Sequence, residues 1–131
     1  MPDAPVRRLA YARRVDSALR HNVCRLIAGL VVSVDDFAPE EEAFIERLLK
    51  RFGVSDRDTI FPIVSHDEAA AQMRALPPAV QEETMALLIE AAVADGKVVD
   101  EERAYLRVAA GVLGIDEAAL DRRIAAALTA R

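Results

Sequence analysis

The chain has 131 residues, a one-domain length, and 53% of them are hydrophobic, enough for a core and too many for a disordered chain. Its 17 basic residues against 22 acidic ones leave a net charge of −5, which argues against nucleic acid as a partner. Alanine is the commonest residue at 25 copies, aromatics make up 5% and tryptophan is absent, a composition that suits helices and disfavours a sheet.

The charge is uneven. Residues 1–27 carry six arginines against Asp3 and Asp16, a net of +4, while residues 28–131 carry a net of −9. In the arginine-rich arm, residues 1–20, Arg7, Arg8, Arg13, Arg14 and Arg20 recur with Val6, Leu9, Val15 and Leu19 in a loose helical pattern. Such an arm is either a solvated helix face or a basic segment that docks on an acidic body or an anionic membrane surface. The first helical stretch is expected from about Val6 to Val34, with a break near His21-Asn22. Its apolar run Cys24–Val32 falls short of the ~20 residues a membrane span requires. No apolar signal core opens the chain, so the expectation is a cytoplasmic protein, touching the inner face of the membrane at most peripherally. Cys24 is the lone cysteine, which excludes an intrachain disulfide and a cysteine zinc site, and its apolar surroundings make it a core residue rather than a nucleophile.

Asp35-Asp36-Phe37-Ala38-Pro39 stops this helix. Pro39 suits the first position of the next one, and Glu40, Glu41 and Glu42 suit its positive N-terminal end. Phe44, Ile45, Leu48, Leu49 and Phe52 form one apolar stripe, closed by Gly53 in a left-handed cap. Ser55-Asp56-Arg57-Asp58 and Ser65-His66-Asp67-Glu68 read as capping boxes, the first opening a short helix that ends at Pro62, the second a helix through about Ala75. After Pro77-Pro78, a helix from about Ala79 to Ala94 turns Val80, Met85, Leu87, Leu88 and Ala92 inward. Further helices run from about Glu101 to Leu113 and onward from the cap Asp116, where Leu120, Ile124 and Ala127 share a face. The whole reads as an all-α single domain of about seven helices over residues 1–131.

The chain also resembles itself at an offset of 61. Glu41, Phe44, Ile45, Phe52, Gly53 and Val54 fall on Glu102, Tyr105, Leu106, Leu113, Gly114 and Ile115. Acidic-turn repeats therefore lie near 28–56 and 88–116, by duplication or as two convergent amphipathic hairpins. The second turn, Ala91–Glu102, matches a calcium loop at Asp95, Gly96, Val98 and Glu102, but Ala91 and Val93 stand where acidic ligands are required, which excludes an EF-hand. A looser site stays open. Asp95 with Glu102, and Asp35 or Asp36 with Glu41 or Glu42, could converge on a hard divalent cation, Mg²⁺, Ca²⁺ or Mn²⁺ in preference to Zn²⁺, since carboxylate oxygens suit such ions. The competing reading makes Asp95 a turn cap and the glutamates solvated partners of helix ends. His21 and His66 have no ligand or catalytic pattern around them. No phosphate loop, dinucleotide fingerprint, nucleophile elbow or zinc-protease motif occurs, so no catalytic or cofactor-binding residue is assigned.

The phrase Ala91–Glu102, followed by Leu106 and Gly114-Ile115-Asp116, resembles the core motif of the tellurite-resistance TerB-like family, a domain type similar to the N-terminal region of DjlA-type co-chaperones. The resemblance implies a bundle of about seven helices in two related halves. It also implies an acidic patch at Asp95, Glu102, Asp35 and Glu41 or Glu42 suggested to bind metal, and a role in stress resistance without established enzymatic activity. Asp36 stands where the motif's turn glycine belongs. Two functions follow as expectations: a non-enzymatic stress-response domain acting through its acidic turns with a divalent cation, or a metal-free module for a protein partner or homodimer, its acidic turns being helix caps.

Overall fold

A computed structural model of the chain describes residues 17–32, 39–51, 53 and 62–130. Among these, six helices follow one another: α1 (Ser17–Val31), α2 (Pro39–Arg51), α3 (His66–Ala75), α4 (Pro78–Ala92), α5 (Asp100–Val112) and α6 (Glu117–Thr129). The expected all-α architecture is therefore observed, while the arm before Ser17 and the short helix expected to open at Ser55 lie outside the described residues. The break expected at His21-Asn22 does not occur, and α1 runs straight through both. No glycine or proline interrupts it there. The Asn22 side chain, which could compete for the backbone, accepts from Arg25 Nη1 one turn on instead (3.2 Å).

Local chemistry explains most helix ends. Pro39 opens α2 at a position whose N–H has no intrahelical partner, and Lys50 and Arg51 sit at its negative C-terminal end. Ser65 caps α3, its Oγ accepting from the Glu68 N–H (3.3 Å), and Asp116 caps α6 by accepting from the Ala119 N–H (2.8 Å). Leu76, ahead of Pro77, is extended and ends α3. The Gln81 side chain then donates to the Met73 carbonyl (2.9 Å), satisfying a terminal acceptor of α3 from α4. At the end of α5, Gly114 takes φ +76° while the Gly114 and Ile115 N–H groups return to Gly111 and Ala110, the paired bonds of a Schellman motif.

Helix α1 is the centre of the bundle, packed against α2, α3, α4 and α5, and α6 lies across α4 and α5. Its residues from Val23 to Val31 are all buried except the half-buried Arg25, so it is a core helix rather than a surface one. Helices α2 and α5 are each 13 residues long and begin 61 residues apart, and each precedes a positive-φ glycine. They bury matching positions, Phe44, Ile45, Leu48 and Leu49 against Tyr105, Leu106, Ala109 and Ala110.

One cluster ties three segments together. The Ile63 N–H donates to the Arg25 carbonyl (3.1 Å), and the buried Tyr105 hydroxyl lies 2.7 Å from the Ile63 carbonyl oxygen and 2.9 Å from that of Leu26. The phenol has one proton to share between two acceptors. Burial raises its pKa, the nearby Glu68 charge adds to the rise, and Arg25 opposes it. This close approach requires Gly29, where a Cβ would stand 2.0 Å from the Ile63 oxygen.

Candidate functional site

The second acidic turn joins α4 to α5. Helix α4 ends at Ala92, the N–H of its cap Val93 still returns to Ile89, and the Gly96 N–H donates to the Val93 carbonyl (2.9 Å) with Gly96 at φ +91°. Only a residue without Cβ adopts that conformation freely. Half-buried Asp95 accepts from the Lys97 N–H two residues on (3.3 Å), an Asx turn that holds the loop. Glu102, at the third position of α5, is 2% exposed, and its Oε1 accepts from the Val99 N–H (3.1 Å). This is half of a capping box, because Val99 has no side-chain acceptor to complete it. Both expected carboxylates thus hold backbone amides of one turn.

The other expected ligands are placed only in part. Asp35 and Asp36 lie outside the described residues, as does the side chain of Glu41, while Glu42 is exposed on α2. Among the described residues, no three histidine, cysteine, aspartate or glutamate side chains gather in a group that could hold a metal ion. Two carboxylates supply fewer oxygens than the six or more that Ca²⁺ or Mg²⁺ collects, so any cation here would depend on waters or on the first turn. His66 is exposed, as expected for a first-turn residue, with its ring edge-on to Tyr105 at 6.1 Å. Cys24 is buried in the core, and desolvation pushes its thiol up to about 12 against the opposing effect of Arg20, so it is held as an unreactive thiol.

Beside the turn lies a feature that no sequence motif announced. Helices α2 and α6 both pack on α4, and between them runs an open groove of about 620 Å³. Phe44, Val93, Ala94 and Ala127 line it, with Arg47 contributed by α2 and Glu90 by α4. The Arg47 guanidinium lies over the Phe44 ring, 5.9 Å from its centroid, a cation–π arrangement that orients it. Among the described residues neither Arg47 nor Glu90 forms an ion pair, unlike Arg103 with Asp121, Arg107 with Glu117 and Arg123 with Glu82. Sequence periodicity correctly marks Phe44 and Ala127 as inward-facing, but the groove arises from how far apart α2 and α6 sit on α4, which periodicity does not encode.

Residues 63–125 match the family model of tellurite resistance protein TerB, so this part of the chain, from Ile63 to the last turns of α6, resembles the TerB-like family. No curated protein and no solved structure gives a match. The matched segment contains the second acidic turn whole. No described helix is long and apolar enough to cross a membrane.

Proposed function

We propose that this TerB-like chain is a non-enzymatic stress-response domain that works by binding a protein partner, with its second acidic turn as structural support for the binding face. The observation that carries this reading is the apolar groove at the turn: Val93 and Ala94, the first residues after α4, belong to both features. One carboxylate oxygen of Asp95 and one of Glu102 accept from the Lys97 and Val99 amides and so fix the shape of that rim. An open trough lined by small and aromatic side chains suits a packed helix better than a small substrate, which calls for an enclosed pocket with convergent polar groups.

A divalent cation at the turn is the second reading. It is favoured by the buried carboxylate of Glu102 standing in the same turn as Asp95, and it would draw its remaining ligands from Asp35, Asp36, Glu41 or Glu42. Thermal melting of chelator-treated protein with Mg²⁺, Ca²⁺, Mn²⁺ and Zn²⁺, repeated on Asp95→Ala, separates the two. Specific binding at a hundredfold excess over Kd stabilises a fold by about 2.7 kcal/mol. The partner-binding reading expects the same melting temperature with every ion. A rise for one ion that disappears in Asp95→Ala would establish the cation instead. The groove itself is tested with the apolar probe bis-ANS. Native protein should bind it, and Ala43→Glu combined with Ala130→Glu, two exposed positions lining the groove, should lose it without lowering the melting temperature.

A further inference from the structure

Resting on the reading of the groove as a protein-binding face, the geometry points to a second copy of this chain as its occupant, related by a twofold axis that sets Arg47 of each copy against Glu90 of the other. A twofold interface must be complementary to itself, because the same patch serves both partners. This groove has that property. It carries one cation from α2 and one anion from α4, and among the described residues neither forms an ion pair, although Arg123 on α6 is paired with Glu82 on α4. An arginine stacked on Phe44 is already oriented, so little side-chain freedom is lost when it meets a carboxylate.

The shape agrees with the charge. The C-terminal end of α6 presents Ala127 and Ala130 along one wall of the groove. Small side chains there let a second backbone approach closely, so under a twofold axis the C-terminal end of α6 in each copy would seat against the groove of the other. Apolar contact would then supply the affinity, while the two Arg47–Glu90 pairs would set the register and reject other faces.

Sedimentation of the full chain from micromolar to millimolar concentration, at low and high salt, tests this with charge reversals. Both side chains are exposed, so Arg47→Glu and Glu90→Arg should fold, which melting verifies. The wild-type chain should dimerise. Each reversal alone places like charges opposite one another at both contacts and should weaken the dimer by about tenfold or more. Mixing the two variants restores opposite charges at both contacts, and the mixture should dimerise while neither component does. A wild-type chain that stays monomeric, or a mixture that fails to associate, overturns the proposal. If the monomeric chain still binds bis-ANS in the groove, only the second copy is refuted. If it binds neither, the groove reading falls as well.

Discussion

Replacing Gly29 by alanine tests the central packing of the fold. A Cβ at this position would lie 2.0 Å from the Ile63 carbonyl oxygen, 2.8 Å from its carbon and 2.6 Å from the Tyr105 hydroxyl. Backbone atoms cannot rotate away, so α1 and the segment before α3 must separate. That movement strains the Tyr105–Ile63 bond of 2.7 Å and the Ile63–Arg25 bond of 3.1 Å, both in the interior. Overpacking costs about 1–3 kcal/mol and a buried hydrogen bond left unmade costs about 1–3 kcal/mol, against a gain of about 1 kcal/mol for alanine over glycine inside a helix. The net expectation is a loss of about 3 kcal/mol, or about 10 °C in melting temperature for a chain of this size. Urea and thermal unfolding followed by circular dichroism would measure it. Gly111→Ala is the internal control: nothing lies within 4 Å of a Cβ there, so the same chemical change should stabilise the protein by about 0.5–1 kcal/mol. Equal effects at the two glycines, or a Gly29→Ala variant as stable as wild type, would refute the argument.

Three further outcomes follow from individual contacts. Tyr105→Phe keeps the ring and removes the proton shared by the Leu26 and Ile63 carbonyls, and should lower unfolding free energy by about 1–3 kcal/mol; an unchanged urea midpoint would show that the bridge contributes nothing. Asp116→Ala deprives the Ala119 amide of its cap and should cost about 1 kcal/mol, whereas Asp116→Asn should retain most of it. The alkaline limb of stability tests the buried thiol and phenol. Both have native pKa values raised by burial, to about 12 for Cys24, so the unfolded chain loses these protons first. Their stabilising contribution is complete below about pH 9 and declines as pH rises, by about 1.4 kcal/mol per pH unit for each group ionised only in the unfolded chain. Urea titrations across this range should show a shallower onset in Cys24→Ala, and a flat wild-type profile would contradict the assignment.

Helix type, order and ends were legible in the sequence because they are decided within one or two turns. The Ser65 and Asp116 caps, the proline at the start of α2 and the left-handed glycines at 53 and 114 each act on neighbours three or four residues away. Apolar spacing likewise marked Phe44, Leu48, Leu88 and Leu120 as inward without reference to any partner. The expected break at His21-Asn22 failed for the complementary reason, since Asn22 found Arg25 rather than the backbone. Tertiary structure alone decided the rest. Tyr105 meets Leu26 across 79 positions and Ile63 across 42, and it is their meeting that requires Gly29 to lack a side chain. The candidate site divides in the same way. Asp95 and Glu102 were visible as a motif, and their hydrogen bonds to Lys97 and Val99 are local. The groove is not, because Arg47, Glu90 and Ala127 belong to three helices whose separation depends on how each is seated on α4, a quantity set by packing between elements and carried by no short stretch of sequence.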